Sequence, residues 1–224
     1  MDENINSVYF PLLLNIKNYP CLVVGGGKVA LRKVTSLLNF RIKSTVLAPK
    51  ICQPLLELQT KRKIKVIKKV YSKEHLNNFK IVFCATDNPE INKMVRKDCT
   101  ENNILLNVAD IPELCDFILP AIVKRGDLTI SVSSQGAAPF YAAELRKKLD
   151  HIFPSYYENI IELAGEFRKL LLRDKKLTSV KLREKAFNNF FMIDWKKVLA
   201  NEGKKKANKY AHRILEDLKH QGLK

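Results

Sequence analysis

The feature that most constrains the fold is a run of three glycines between an apolar segment and an amphipathic one. The apolar segment, Cys21-Leu22-Val23-Val24, is short and contains β-branched residues, as buried strands do. The segment after the glycines has apolar residues at helical spacing, namely Val29, Ala30, Val34, Leu37 and Leu38. Strand, glycine turn and helix in this order are the context of a dinucleotide-binding fingerprint.

Each small residue of this stretch has a predicted role. Gly25 lets the chain turn sharply out of the strand, and Gly27 has no Cβ, so a pyrophosphate can approach the backbone. Ala30 takes the last place of the G-x-G-x-x-G/A pattern and lets the helix pack close to the sheet. The first helical amides and the helix dipole favour an anion there. The alternative is an ordinary glycine-rich turn, which the flanking strand and helix disfavour.

Strand and helix patterns alternate up to residue 110, which predicts an α/β fold with a Rossmann-like, doubly wound parallel sheet. Its five strands are expected near residues 21–24, 43–49, 64–67, 80–86 and 104–110. A hairpin, a small-residue loop and a helix opened by Pro139 follow, and the rest is helical. We therefore expect a dinucleotide-binding domain (1–112), a small α+β dimerisation segment (113–150) and a helical C-terminal domain (151–224). The unpaired hairpin edge suggests pairing with a second copy.

Ligands of such sheets lie beyond the carboxyl ends of the strands, where Thr86 is an expected cofactor contact. A conventional NAD site has Asp or Glu after the second strand, to bind the ribose 2′-hydroxyl. Here Ala48-Pro49-Lys50 stands in that place. Ribose binding must then use backbone groups or Lys50, and a lysine would also suit a 2′-phosphate. On the residues alone, NAD and NADP both remain open.

Asp110 follows the fifth strand on the ligand side of the sheet. Partial burial would raise the pKa of its carboxyl and suit it to proton transfer. The alternative is a loop or capping aspartate.

The formal net charge of +17 has three possible origins: nucleic-acid binding, a polyanionic small substrate, or solubility, which we favour. The run Gly203-Lys204-Lys205-Lys206 has no interleaved aromatic residue, which counts against nucleic acid. Five widely spaced cysteines without a C-x-x-C pair predict neither a disulfide framework nor a metal site. No apolar run is long enough for a membrane span, and residues 1–6 do not resemble a signal peptide, so a cytoplasmic location is expected.

Five blocks of the sequence occur together in one order. They are Val-Val-Gly-Gly-Gly-Lys-Val-Ala-Leu-Arg-Lys from Val23, Ala85-Thr86-Asp87, Asn107-Val108-Ala109-Asp110, residues 115–121 and residues 131–139. Together these blocks resemble the precorrin-2 dehydrogenase family, which includes the N-terminal domain of siroheme synthase. The resemblance covers residues 8 to about 170 and leaves the role of residues 172–224 open.

The resemblance implies NAD-dependent oxidation of precorrin-2 to sirohydrochlorin, on the path to siroheme or cobalamin. It also implies a homodimer that exchanges the middle segment, and it tips the cofactor toward NAD. Some members of this family insert ferrous iron as well, and the sequence leaves that activity open. The implied catalytic residue is Asp110, and Ser134 maps to a serine that is phosphorylated or lies near the tetrapyrrole. The implied cofactor contacts are Gly25, Gly27, Lys28, Val29, Pro49 and Lys50.

Precorrin-2 carries many carboxylates, so basic residues of the middle segment are expected to bind it. The candidates are Lys124, Arg125 and Arg146. Two other functions compete with this one. The first is a dinucleotide-binding sensor or regulator whose basic C-terminal segment contacts nucleic acid. The second is another short Rossmann oxidoreductase with a different substrate.

Overall fold

In the computed structural model, which describes residues 9–221, a five-stranded parallel sheet forms the centre of the first part of the chain. The order of its strands is β3-β2-β1-β4-β5, so the chain moves one way from β1 and then returns to β1's other side. The predicted doubly wound sheet is confirmed. Its strands are β1 (Cys21–Val24), β2 (Ser44–Leu47), β3 (Lys65–Ile67), β4 (Ile81–Cys84) and β5 (Leu105–Val108).

The strand register aligns the carboxyl ends of the whole sheet. Val24 pairs with Leu47 on one side and with Cys84 on the other, and Cys84 pairs with Val108. The residues that follow these strands therefore emerge along one edge. Between β1 and β4 the strand order reverses, which is where open α/β sheets bind ligands.

Helices cover both faces of this sheet. All four residues of β1 are buried, and alternate ones enter different cores, Leu22 one and Val23 the other. The core with Val23 includes residues of α1 (Lys28–Asn39) and α2 (Gln53–Thr60). The core with Leu22 includes residues of α3 (Pro89–Glu101). Single 3₁₀ turns lie at Lys73–Leu76 and Pro112–Leu114.

The chain divides at Leu119–Pro120 into two compact units. Residues 113–119 lie with the first unit, where the Asp116 carboxylate accepts a hydrogen bond from the Leu106 amide at 2.9 Å. The three functional parts expected from the sequence, 1–112, 113–150 and 151–224, stay a prediction.

The second unit combines a hairpin with helices. β6 (Ala121–Arg125) and β7 (Leu128–Val132) are antiparallel around the turn at Gly126. Four helices follow, and the predicted helical C-terminal region is confirmed. They are α4 (Pro139–Ile152), α5 (Tyr157–Arg173), α6 (Val180–Phe191) and α7 (Trp195–Gln221), the last interrupted at Gly203, where φ is 75°.

The last three helices share a core in which aromatic rings meet. Phe190 packs against Phe167 and Trp195, with ring centroids 4.8 and 4.6 Å apart. The Trp195 indole is 5% exposed and donates its N–H to the Phe190 carbonyl at 2.8 Å. Among the described residues, no helix is both long and apolar enough to cross a membrane.

Asp174, which follows α5, provides a test of this helical core. Its carboxylate accepts from the Lys176 amide at 2.9 Å and forms an ion pair with Lys219 of α7 at 2.7 Å. These contacts, with Lys219 first, hold the pKa of Asp174 below its usual value. The ionised Asp174 carboxylate therefore stabilises the folded state above about pH 4. This contribution is lost as the pH falls through the lowered pKa that Asp174 has in the folded state.

We expect Asp174→Asn to lower the melting temperature at neutral pH, because asparagine keeps the acceptor for the amide but loses the ion pair. The difference from the unsubstituted chain should shrink below about pH 4. Circular dichroism melts across this pH range measure it, with Asp127→Asn in the exposed hairpin turn as the matched control. A difference that stays constant with pH would contradict the assignment.

Candidate functional site

The glycine loop after β1 lies against the backbone that follows both neighbouring strands. A Cβ on Gly25, whose φ is +122°, would lie 2.2 Å from the Ala85 carbonyl oxygen. A Cβ on Gly26 would lie 2.0 Å from the Lys50 carbonyl oxygen, a constraint that the fingerprint pattern did not reveal. Gly27 differs, because a Cβ there would meet no atom of the described residues within 4 Å. The first two glycines are thus required by the fold, and the third leaves open space.

The N-terminus of α1 faces that open space with its amides uncapped. Gly27 is the N-cap residue and makes no side-chain hydrogen bond to the first turn, and that turn contains no acidic residue. The N-terminus of α3 lies at the same edge, but a side chain of the chain itself caps it. There the Asn88 side chain accepts from the amides of Glu90 and Ile91. Since exposed helical amides bind anions, the α1 end fits a phosphate and the α3 end does not.

The predicted cofactor residues lie along this edge. Pro49 and Lys50 are exposed after β2, and no carboxylate stands there. Thr86, after β4, accepts a hydrogen bond from the Asn88 amide through its hydroxyl at 3.0 Å. The structure therefore gathers all the predicted positions around the α1 N-terminus. They are Gly25, Gly27, Lys28, Val29, Pro49, Lys50 and Thr86.

A cleft of about 170 Å³ lies at the end of β5. Asp110 is on its wall, in a left-handed backbone conformation with φ of 61°. The carboxylate is exposed, so the expected partial burial is wrong: Asp110 lies in the turn beyond β5, outside the sheet. The cleft wall also includes Arg32, Lys33, Asn107, Cys115 and Ile118.

Lys33 is a site residue that the sequence analysis missed. It reaches from α1 to β5, where its Nζ donates to the Asn107 Oδ1 at 2.8 Å. Burial, and then the nearby Arg32, lower the pKa of Lys33, while Cys115 and Asp110 oppose that shift. A signal was available, because Lys33 falls on the helix face that carries the buried Ala30 and Leu37.

The segment after Asp110 is tied to β5 and closes one side of the cleft. The Cys115 sulfur accepts from the Val108 amide at 3.1 Å, and the Asn107 Nδ2 donates to the Phe117 carbonyl at 2.9 Å. Asp116, besides accepting from β5, pairs with Arg96 of α3 at 2.6 Å. The cleft wall is therefore held by polar contacts on both sides of β5.

The predicted substrate residues lie in the second unit, and Arg125 already has protein partners there. Its Nε donates to the Phe153 carbonyl at 2.7 Å, and its guanidinium pairs with Asp150 at 2.6 Å. Arg146 lies 3.7 Å from the same carboxylate. These contacts indicate that Arg125 fastens the hairpin to α4, and its substrate role stays a prediction without support from them.

The other two substrate candidates also have local contacts. The Lys124 ammonium donates to the Gly126 carbonyl at 2.7 Å, and the Ser134 hydroxyl accepts from the Ala138 amide at 2.9 Å. Ser134 thereby shapes the loop that leads into α4. The substrate roles of Lys124, Arg146 and Ser134 stay predictions. Across residues 9–221, no group of three or more His, Cys, Asp or Glu side chains could hold a metal ion.

Comparison with known proteins agrees with this geometry. Residues 12–121 match a family described as "Putative NAD(P)-binding". The siroheme synthase of Pseudoalteromonas translucida is 42% identical over 160 residues, which are 71% of this chain and 34% of that protein. The siroheme synthase of Nitrosococcus oceani is 37% identical over 191 residues, 85% of this chain and 39% of that protein. This chain thus spans only a minor part of the length of these relatives.

A solved structure extends the similarity beyond the first unit. "SirC, precorrin-2 dehydrogenase" is 24% identical to this chain with a TM-score of 0.72. The match covers 92% of this chain and 100% of that one, so the common fold extends into the helical region. Together, the matched sequence blocks and the common fold confirm the resemblance stated from the sequence: the chain is similar to the precorrin-2 dehydrogenases and to the corresponding part of the siroheme synthases.

Proposed function

We propose that this chain is an NAD-dependent dehydrogenase that oxidises precorrin-2 to sirohydrochlorin, on the path to siroheme or cobalamin. The observation that carries the proposal is the pairing of two sites on one sheet edge. An uncapped helix N-terminus suits a diphosphate, and a cleft with a carboxylate follows β5. We infer the substrate from the names of similar proteins, the siroheme synthases and "SirC, precorrin-2 dehydrogenase".

The residues of the glycine loop fit the cofactor. The pyrophosphate would lie in front of Gly27, where the backbone is bare, and accept hydrogen bonds from the first amides of α1. Lys28 adds a positive charge at that end. Pro49 and Lys50 would border the ribose, with backbone groups in place of the usual carboxylate. Bound NAD supplies the hydride acceptor.

Dehydrogenation of the macrocycle removes one hydride and one proton. Asp110 is the acid placed to accept the proton, because it is the carboxylate on the cleft wall after β5. Its exposure leaves it accessible to a substrate that approaches along the sheet edge. If the chain also inserts iron or cobalt, the macrocycle nitrogens would bind the metal and release two protons, of which Asp110 would accept one and the solvent the other.

A nucleic-acid-binding role for the C-terminal segment is not supported. Two lysines of its basic run form ion pairs within the helical region, Lys204 with Glu162 at 2.6 Å and Lys206 with Glu202 at 3.4 Å. These lysines lie along α7 rather than in a free tail.

A homodimer and a cytoplasmic location complete the proposal. A two-stranded sheet is marginally stable alone, and the helix next to it exposes large apolar side chains. Phe140 is 78% exposed, Tyr141 56% and Ile152 59%. A second copy of the segment 113–150 would cover them.

The central experiment is an anaerobic assay with precorrin-2 and either NAD or NADP, with and without ferrous or cobaltous ion. We expect NADH to form with NAD as the better acceptor.

Asp110→Asn should lower turnover by roughly a hundredfold or more, because the proton acceptor is lost while asparagine still tolerates the left-handed turn. Asp87→Asn, an exposed acid after β4, is the matched control. Normal turnover by Asp110→Asn would remove Asp110 from the mechanism.

Two glycine variants separate binding from folding. Gly27→Ala should keep the melting temperature, since its Cβ meets no atom of the described residues, but weaken NAD binding roughly ten- to hundredfold by displacing the diphosphate from the amides. Gly25→Ala should instead destabilise the fold by about 2 kcal/mol or more, from backbone strain and the clash with Ala85. Calorimetric NAD titration and thermal melts measure the two effects. Unweakened NAD binding by Gly27→Ala would place the cofactor elsewhere.

Light scattering after size exclusion tests the dimer. The expected mass is that of two chains, and Phe140→Asp should give one chain, because a charge replaces an apolar contact. Phe191→Asp, an equally exposed phenylalanine at the end of α6, is the control and should leave the mass unchanged. A single-chain mass at all concentrations would contradict the proposal.

A further inference from the structure

Lys33 is a half-buried cation on the wall of the cleft at the end of β5. Among residues 9–221 it forms no ion pair, and its ammonium donates a hydrogen bond to a neutral acceptor, the Asn107 Oδ1. Charged groups that leave water are usually paired, because removing an ammonium from water is unfavourable. The lowered pKa of Lys33 reflects the same cost. Asp110 favours this charge from a distance without pairing with it, so the ammonium keeps room for an anion from outside the fold.

Asn107 fixes the position of that cation. Its side chain is 5% exposed, and its Nδ2 donates to the Phe117 carbonyl at 2.9 Å, with the Cys115 sulfur at 3.6 Å. The amide can satisfy these acceptors only with Nδ2 on their side, so its oxygen must face Lys33. The neutral oxygen accepts one of the three ammonium protons and leaves the charge and the other protons available.

The anion that Lys33 could bind is not the cofactor diphosphate. Lys33 lies six residues beyond Gly27, roughly 9 Å along the helix. Its side chain extends toward β5, on the wall of the same cleft as Asp110. Arg32, on the same wall, adds a second positive charge.

We propose that Lys33 binds one peripheral carboxylate of the tetrapyrrole substrate and thereby holds the macrocycle against Asp110. This inference rests on the proposed function. The cleft, at about 170 Å³, is too small for a whole tetrapyrrole but large enough for an acetate or propionate arm. Because Lys33 is fixed by Asn107, the arm that it binds also sets which macrocycle carbon lies near Asp110. Lys33 is thus a specificity-determining residue of this cleft.

The test uses sirohydrochlorin and its fully methyl-esterified form as probes, with the full chain and its variants Lys33→Met and Lys33→Arg. Quenching of macrocycle fluorescence gives the dissociation constants. Lys33→Met should weaken sirohydrochlorin binding roughly ten- to hundredfold, the effect of losing one hydrogen-bonded charge pair. It should leave binding of the ester and of NAD unchanged. Lys33→Arg keeps the charge and should recover part of the loss.

Lys61→Met is the matched control, since it removes the same charge from an exposed position of the first unit and should change neither constant. Equal weakening of acid and ester by Lys33→Met would overturn the inference, because packing rather than charge would then be the cause. So would unchanged sirohydrochlorin binding by Lys33→Met in a chain that still reduces NAD with precorrin-2, and in that case the proposed function stands. No NAD reduction by the unsubstituted chain would overturn both.

Discussion

The sheet edge where the strands end depends on how closely the glycine loop after β1 lies against the backbone that follows β2 and β4. Gly25 and Gly26 lie against the carbonyls of Ala85 and Lys50, at distances that no Cβ would tolerate. Hydrogen bonds hold this arrangement, from the Gly25 amide to the Leu47 carbonyl and from the Cys52 amide to the Gly26 carbonyl. The approach fixes the direction in which α1 leaves the sheet, and with it the position of every α1 side chain.

Two consequences follow from that direction. The N-terminus of α1 points into open space, and the face with Lys33 turns toward β5. Since β1 and β5 are separated only by β4, their ends lie roughly 10 Å apart. A dinucleotide that begins at the glycines and extends along the edge would bring its far end near the cleft. One packing constraint thereby positions both the helix end that is proposed to bind the phosphate and the cleft that is proposed to bind the substrate.

The sequence predicted the features that depend on local pattern. The strands and the glycine loop each follow from neighbouring residues, and the structure contains them. The helices α2 and α6 were not predicted individually, since α2 is short, with one buried residue, and α6 is weakly patterned. The resemblance, not the periodicity, supplied the proposed substrate, whereas the unpaired hairpin edge had already suggested a dimer.

What the sequence could not predict depends on contacts between distant residues. Lys33 and Asn107 are 74 positions apart, and their hydrogen bond requires both the tilt of α1 and the register of β5. Arg125 looked free for a ligand because Asp150 and Phe153 lie on a helix that the hairpin meets only in three dimensions. The exposure of Asp110 follows from a turn whose left-handed residue no apolar pattern indicates.

Trp195 has a practical consequence. It is the single tryptophan of the chain, and its indole is enclosed by the aromatic core of the C-terminal helices. Its emission is therefore an intrinsic spectroscopic reporter of that core and would shift to longer wavelength when the helices separate. Trp195 fluorescence therefore reports on the second unit alone, so the melting of those helices can be recorded separately from that of the sheet.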